Sequence, residues 1–319
     1  MIRWFVGLWD RKESPLVLAS VRILVGACIL WDFLEAAWLG IVPTLWGPDT
    51  QGGLAANLME REPLPEIYLW FPETMATPVV VYQVFIAAAF LFMIGAGTRV
   101  SGLVTLLLYA QLSRILPLGD RGIDLMLRNV ILLLVLSRSH AMWSVDAWLR
   151  TRRWSGDGTD IPAWPRHLLI LQLVVMYFFA GIQKTAIAWL PLGGYSALFV
   201  ILQDPHIARF DMAWLANVYP LTQVSTAVTH IWENSALAVL LVYYWRDTHQ
   251  RGGRIRTFVQ KWRPHWWWIG LGVLLHIGIA LSMNLGIFPW AMLALYPAWF
   301  HPEELRKLTA TGRSLVLGG

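Results

Sequence analysis

The sequence predicts an all-α integral membrane protein, a bundle of about eight transmembrane helices with structured loops on its outer face. Hydrophobic residues fill 57% of the 319 positions and charged residues only 14%, against roughly 25% charged in an ordinary soluble domain. The apolar residues form long blocks, and many of the 20 tryptophans stand where a block meets polar sequence, as in an interfacial aromatic belt. We therefore expect one membrane domain over residues 1–319.

The individual spans follow from the length of the apolar blocks. A membrane helix needs roughly 20 predominantly apolar residues, and about eight blocks reach or approach that length. The predicted spans lie near residues 16–39, 78–97, 100–117, 123–139, 166–186, 226–245, 266–284 and 286–300. The last is the shortest and contains Pro289 and Pro297, so we expect it to be broken or tilted.

The orientation follows from the basic residues, because cytoplasmic loops carry the excess of Lys and Arg. One set of alternate loops holds most of them. The opposite set holds only Arg61, Arg114, Arg121 and Arg209. Both termini are therefore expected on the cytoplasmic side of a cell membrane such as the bacterial inner membrane. The first helix is expected to stay uncleaved. The long outer segments, 40–77 and 187–225, are expected to cap the outer face.

Several function classes are excluded by composition and motif. The formal net charge of +5 comes from basic residues in short loops, so we predict no nucleic-acid partner. A single cysteine, Cys28, excludes an internal disulfide and a thiolate zinc cluster. The chain has no Walker loop, dinucleotide GxGxxG, HExxH or GxSxG motif. Its histidines lack regular pairing, so we predict neither a metal nor haem.

Ionisable residues inside the apolar blocks are the candidate functional residues, because a charge at the bilayer centre costs at least about 2.5 kcal/mol. Tyr177, Gly181 and Lys184 share one face of a predicted helix, and His230 and Glu233 share a face of another. Together the candidates predict a polar cavity open to the outer side, with Lys184 as the chemical group. The other candidate residues are Glu35, Arg128, Asn129 and His276.

Each candidate also has a structural interpretation. Lys184 stands near an interface and could extend its amine to the headgroups, as could Arg22, which could instead pair with an acidic loop residue. An isolated buried histidine such as His276 is more often a core residue than a ligand. These alternatives stay open at the level of the sequence.

Charged groups in hydrocarbon need partners, which gives a second expectation. Asp32 and Glu35 either pair with Arg128 or line the site. We further expect Glu233 or Glu35 to lie within hydrogen-bonding reach of one of the intramembrane bases.

Four blocks of the sequence resemble a known family in order. The segment LQLVVMYFFAGIQKTAIAWL at 171–190, WSVDAWL at 143–149, and His276 followed by Phe288 and FPWAMLALYPAWF resemble the vitamin K-dependent gamma-carboxylases and their wider HTTM (horizontally transferred transmembrane) relatives. The opening SPLVLASVRILVGACILWDFLE also has the arginine of that family.

The resemblance implies a specific chemistry. In the carboxylases the lysine that matches Lys184 is the proposed base that deprotonates vitamin K hydroquinone, which reacts with oxygen to give the strong base that prepares glutamate for carboxylation. A lysine in a low-dielectric pocket can act as a neutral amine base. The implied cofactor is therefore a reduced quinone, and the implied partners are membrane lipid and a secreted peptide or protein. Ile123 and Asp124 stand where the carboxylases have the histidine of an NHSYL motif, and their large lumenal domain is absent before Gly319.

Two functional hypotheses follow. The first is a quinol- and oxygen-dependent carboxylase or epoxidase-type enzyme with Lys184 as base. The second is a non-enzymatic maturation or binding factor for a secreted peptide or lipid, like the sporulation-delaying toxin maturation proteins that this short chain also resembles. An ion-coupled transporter is disfavoured because the sequence has no inverted repeat or paired broken helices.

Overall fold

The computed structural model describes residues 2–56 and 65–308, and it confirms a helical protein. Arg61, which entered the prediction of orientation, lies outside these residues, as do the segment 57–64 of the predicted outer cap, Met1 and residues 309–319. The helices are α1 (Ile2–Trp9), α2 (Leu16–Trp38), α3 (Val42–Trp46), α4 (Ala76–Ile94), α5 (Thr98–Ile115), α6 (Gly122–Leu136), α7 (Val145–Thr151), α8 (Trp164–Ile182), α9 (Ala197–Leu202), α10 (Tyr219–Asn234), α11 (Ala236–Asp247), α12 (Arg254–Trp262), α13 (Pro264–Ser282) and α14 (Phe288–Leu295). Two short strands, β1 (Lys12–Glu13) and β2 (Ile161–Pro162), pair antiparallel.

Among the described residues, four helices are long and apolar enough to cross a membrane, namely α2, α4, α8 and α13. They coincide with four of the predicted spans, which supports a membrane protein. The other predicted spans fall on helices that are shorter or more polar: α5, α6, the pair α10 and α11, and α14. The count of eight spans stays a prediction.

The predicted span 226–245 covers parts of two helices. It is divided between α10 and α11 at Ser235. The Ser235 hydroxyl donates to the Trp232 carbonyl at 2.7 Å, and the Trp268 indole donates to the Ser235 hydroxyl at 3.0 Å. A serine that bonds the backbone competes with the regular helix pattern, which accounts for the division.

The expected break in the last predicted span is present. Helix α14 has a proline at its first turn, where the missing N–H costs nothing. It ends at Leu295, and a short 3-10 turn over Tyr296–Trp299 follows. Pro297 lies inside that turn, where a continuing α-helix would lose a hydrogen bond and meet a steric clash.

Contacts between residues divide the chain into two compact units. The N-terminal unit comprises Asp10–Arg166 and Phe300–Gly319, and the C-terminal unit comprises Met1–Trp9 and His167–Trp299. Each is described separately below, and the single membrane domain over residues 1–319 stays a prediction.

The N-terminal unit is built on α2, α4, α5 and α6, which pack in succession. Its core is aromatic: the Phe33 ring centroid lies 4.5 Å from that of Phe85 and 5.2 Å from that of Tyr109. On the same helix α2, a Cβ at Gly26 would lie 2.6 Å from the Cβ of Met93. Helices α2 and α4 therefore approach closely because a glycine stands at the contact, as is common between membrane helices.

Arg22 does not extend to the headgroups, which was one of the two structural alternatives for this residue. Arg22 is fully buried, and its guanidinium donates to the carbonyls of Ser139, at 3.2 Å, and Trp143. A buried charge needs hydrogen-bond partners, and here backbone carbonyls provide them. Arg22 thereby fixes the polypeptide that follows α6 against α2.

The C-terminal unit is built on α8, α10, α11, α13 and α14. The contact between α10 and α13 is made by two tryptophans: the rings of Trp232 and Trp268 stack at 4.6 Å. The Trp232 indole donates to the Trp268 carbonyl at 2.9 Å. This contact brings the polar residues of α8, α10 and α13 to one place.

Candidate functional site

The C-terminal end of α8 carries the lysine that the sequence singled out. The prediction that Lys184 lies inside a helical span is wrong, because α8 ends at Ile182 and Lys184 stands in the turn that follows. Its amine donates to the Ala180 carbonyl at 3.2 Å. The last carbonyls of a helix have no intrahelical partner, and a nearby lysine can donate to them. Lys184 thus caps the helix with which it was expected to be continuous.

Lys184 forms an ion pair with Glu233, as expected for a charged group that needs a partner. Its Nζ lies 2.6 Å from the Glu233 Oε2, with side-chain exposures of 21% for the lysine and 12% for the glutamate. The amine also lies 5.0 Å from the ring centroid of Trp189, within the range of a cation–π contact. The pair is therefore shielded but still reachable from outside.

Gly181 explains how α8 and α10 come close enough for this pair to form. A Cβ at Gly181 would lie 2.9 Å from both the backbone nitrogen and the side-chain nitrogen of Asn234. Only glycine leaves space for that approach without a shift. Asn234 directly follows Glu233, so the close contact at Gly181 sets the position of the carboxylate opposite Lys184.

His230 stands one turn before Glu233 on α10 and is half-buried. Its carbonyl accepts a hydrogen bond from the Asn234 side-chain amide at 2.8 Å. The spacing of three residues places His230 and Glu233 on the same helical face. The two side chains are therefore neighbours on α10.

Beside the ion pair lies a buried group of hydroxyl and imidazole side chains. The Tyr177 hydroxyl lies 3.4 Å from the His276 Nε2 and 3.3 Å from the Tyr296 hydroxyl. The His276 Nδ1 lies 2.7 Å from the Gly272 carbonyl, which assigns the proton to Nδ1 and leaves Nε2 as an acceptor facing Tyr177. The arrangement can hold and pass a proton between Tyr177 and His276.

Aromatic rings connect this group with the ion pair. The Trp232 ring lies 4.6 Å from that of Tyr177, and Trp232 directly precedes Glu233 in α10. A side chain at Gly272 would collide with the Tyr296 hydroxyl and with Trp232. The glycine therefore permits the compact arrangement. Because Trp232 contacts Tyr177 and directly precedes Glu233, the two polar groups form one site, called the lysine site below.

The remaining predicted site residues belong to the N-terminal unit. Arg128 donates to both oxygens of Asp120, each at 2.8 Å. The predicted alternative that Asp32 pairs with Arg128 is wrong, because Asp32 pairs with Arg121. Glu35 and Asn129 are exposed.

The N-terminal unit also contains a charged network that the sequence did not predict. The Arg121 guanidinium binds Asp32 and Asp124 together, and the Tyr109 hydroxyl donates to Asp124 at 2.6 Å. These side chains line a cavity of about 220 Å³ with Phe33 on its wall. Because each carboxylate of this network accepts a hydrogen bond from a donor, the charged side chains can stay partly buried within the unit.

Residue-by-residue reasoning missed Tyr296, Trp232, Trp268 and Trp189 as site residues. A signal was present for two of them. Trp232 stands between the candidates His230 and Glu233, and Tyr296 lies in the block that carries the family resemblance. Trp268 and Trp189 resemble the many interfacial tryptophans of this chain, and only their contacts distinguish them.

No group of three or more His, Cys, Asp or Glu side chains is placed to hold a metal ion within residues 2–56 and 65–308. The expectation that the protein binds no metal stays a prediction.

Comparison with known protein families places the chain in one of them. The model of the HTTM domain matches residues 10–303, a range that includes the lysine site and all four blocks of the resemblance. No solved structure matches the chain.

Proposed function

The chain belongs to the HTTM family of carboxylase-like membrane proteins, and we propose that it is an enzyme in which Lys184 and Glu233 move a proton during the chemistry of a reduced quinone. The observation that carries the proposal is the 2.6 Å ion pair at the end of α8, next to Tyr177 and His276. The reaction would be a carboxylation or an epoxidation. The loop charges support a site that faces the outer side of the membrane.

The proton chemistry of the pair follows from its charge balance. Transfer of one proton from the Lys184 Nζ to the Glu233 carboxylate leaves a neutral amine and a neutral carboxylic acid, with no change in net charge. Low-dielectric surroundings favour the loss of separated charges. The neutral amine can then accept a proton from an acidic hydroxyl that enters the site.

The residues of the site are compatible with a reduced quinone, which is a flat aromatic diol. The rings of Tyr177, Trp232 and Trp189 offer apolar faces, and the His276 Nε2 and the Lys184 amine offer polar partners for hydroxyl groups. When bound, a reduced quinone supplies the electrons for reaction with oxygen. Tyr177 and His276 would orient it, and Lys184 with Glu233 would accept its proton.

The test is turnover of a reduced naphthoquinone in oxygenated buffer by the purified full chain in nanodiscs, with products separated by chromatography. We expect Lys184→Arg to lower turnover by about 100-fold or more, because arginine keeps the charge but stays protonated and cannot act as a base. The matched control is Lys261→Arg. Lys261 is an exposed lysine that lies 5.7 Å from the ring centroid of Trp262, and we expect its variant to keep full turnover.

Folding of each variant is checked by its thermal unfolding, followed by tryptophan fluorescence. A Lys184→Arg protein that folds normally and turns over the quinol at the wild-type rate would reject Lys184 as the base. Glu233→Gln is the second variant, and we expect it to lose turnover because the amide cannot take the proton from Lys184.

The second candidate function is a maturation or binding factor for a secreted peptide or lipid. The favouring observation is the ion pair itself, since a lysine that is fully paired in the resting protein can serve architecture alone. That reading predicts that wild-type protein does not oxidise the quinol and that Lys184→Arg retains peptide maturation in cells.

A further inference from the structure

The N-terminal unit has an apolar groove. Its volume is about 420 Å³, and it is lined by the end of α4 (Met93, Ile94), by Ile23 of α2, and by Trp143, Val145 and Trp154. It is called the tryptophan groove below. Trp143 and Trp154 are 40% and 56% exposed, although indole rings are costly to leave in water. Exposed tryptophans at the end of membrane helices are typical of the headgroup region.

The shape of the groove is held by backbone contacts. The Trp143 N–H donates to the Trp154 carbonyl at 2.7 Å, which joins the two tryptophans that form one wall. Trp143 has a φ of 48°, a conformation that is rare for a bulky side chain. The carbonyl of Trp143 accepts from the buried Arg22. The surrounding structure therefore holds Trp143 in an unfavourable conformation that keeps its ring at the groove.

Arginines lie beside the Trp154 wall of the groove. Arg153 directly precedes Trp154, and Arg152 lies 4.7 Å from the ring centroid of Trp148, which in turn stacks on Trp154 at 6.2 Å. Arg150, Arg152 and Arg153 are exposed. Within residues 2–56 and 65–308, no ion pair involves these three. Their charges are therefore available to an anion from outside.

Residues 138–160 hold four arginines and three aspartates, so the aspartates leave a net positive charge on this segment. Asp146 accepts hydrogen bonds from the N–H groups of Gly97 and Thr98 at 2.8 and 2.9 Å, and Asp157 accepts from Thr159. Asp160 is exposed. The pKa of His140 is lowered, chiefly by burial; the charge of Asp146 raises it, and the charges of nearby arginines lower it further. The segment is thus locally positive.

We propose that the tryptophan groove binds one anionic phospholipid, with an acyl chain along Ile23, Met93 and Ile94 and its phosphate on Arg150, Arg152 and Arg153. The arguments are charge complementarity and position, because the groove is lined by the end of α4, a helix apolar enough to cross a membrane, and arginines lie beside its Trp154 wall. Anionic lipids attract such basic segments at the membrane surface. The proposal does not depend on the function of the lysine site.

The test uses phosphatidylglycerol and phosphatidylcholine that carry a photoreactive diazirine in one acyl chain, each in vesicles of unlabelled phosphatidylcholine with the full chain. Mass spectrometry locates crosslinks on the peptides of the groove. We expect phosphatidylglycerol to exceed phosphatidylcholine there by several-fold, since each basic residue near a membrane surface changes association about fivefold. The combined variant Arg150→Gln, Arg152→Gln and Arg153→Gln should bring the ratio to about one.

A matched control removes three exposed basic residues from another segment, with Arg251→Gln, Arg254→Gln and Lys261→Gln, and should leave the ratio unchanged. Ile23→Trp fills the groove and should lower crosslinking of both lipids at its walls. Equal crosslinking of the two lipids by wild-type protein would overturn the proposal, as would loss of selectivity in the control. Unchanged crosslinking in Ile23→Trp would show that the groove is not the binding site.

Discussion

Two ion pairs of this protein, one in each unit, join the same kinds of charge in different ways. In the N-terminal unit, the Arg166 Nε lies 2.8 and 2.9 Å from the two oxygens of Glu13, and both side chains are at most 5% exposed. In the C-terminal unit, Lys184 contacts one oxygen of Glu233, and both side chains keep more exposure. Glu13 lies in β1, and Arg166 follows β2, so this ion pair links β1 to the segment that follows its partner strand.

The difference separates architecture from chemistry. Arginine keeps its proton at any working pH, so the enclosed pair of Arg166 and Glu13 can only hold β1 and the start of α8 together. Lysine can give up its proton, and its partner Glu233 is reachable. A charge pair with an exchangeable proton at a helix end is therefore the better place to look for catalysis than the most deeply buried pair.

The largest expected effect is on the enclosed pair. Arg166→Met should lower the free energy of unfolding by about 3–5 kcal/mol, because Glu13 is left buried without its cation. Denaturant unfolding in detergent, followed by tryptophan fluorescence, measures the change. In the control, Arg114→Met removes the cation of the exposed pair with Glu66 and should cost at most about 1 kcal/mol. Equal losses of unfolding free energy in the two variants would show that burial of an ion pair does not increase the cost of removing its cation.

An intermediate effect is expected at the lysine site. Lys184→Met should cost about 1–3 kcal/mol, between an exposed and a buried pair, because water can reach Glu233 once the lysine is gone. Lys184→Arg should keep most of this stability, since it restores the charge. The same unfolding assay measures both variants. A loss in Lys184→Met as large as that in Arg166→Met would make both pairs architectural and weaken the catalytic proposal.

The smallest effect tests a third way to stabilise a carboxylate, with hydrogen bonds in place of a cation. Burial raises the pKa of Asp146, but the hydrogen bonds from Thr98 and Gly97 outweigh it and hold the pKa below its ordinary value. The carboxylate therefore stabilises the folded protein above the unfolded pKa of about 3.9, and this contribution is lost as the pH falls through the lower folded pKa. Asp146→Asn should cost about 1 kcal/mol at neutral pH, as loss of a helix cap does.

The measurement for Asp146 is the melting temperature against pH. The difference in melting temperature between wild type and Asp146→Asn should shrink below about pH 4, where the wild-type carboxyl becomes protonated. Asp160→Asn changes an exposed carboxyl and should follow the wild-type curve. A difference that stays constant down to pH 3 would mean that the charge of Asp146 plays no part.

Reasoning from the sequence succeeded where a property is the sum of neighbouring residues. The apolar blocks predicted α2, α4, α8 and α13, because hydropathy averages over a window of the chain. The cost of an unpaired charge predicted a partner for Lys184. The same reasoning failed at the end of α8, because apolar residues resume at Ala186 and nothing in the local pattern shows the Lys184 amine turning back to the Ala180 carbonyl.

The sequence by itself determined that this is a helical membrane protein of the HTTM family, and that its intramembrane charges need partners. Only the tertiary structure decided which partners they have. Lys184 meets Glu233 across 49 positions of sequence, Arg22 meets carbonyls beyond α6, and Asp32 meets Arg121. The physical reason is that burial of apolar surface is local and tolerates small shifts. An ion pair instead requires two charged groups from distant parts of the chain to be positioned with a precision of a fraction of an ångström. At the lysine site a single glycine, Gly181, makes that approach possible.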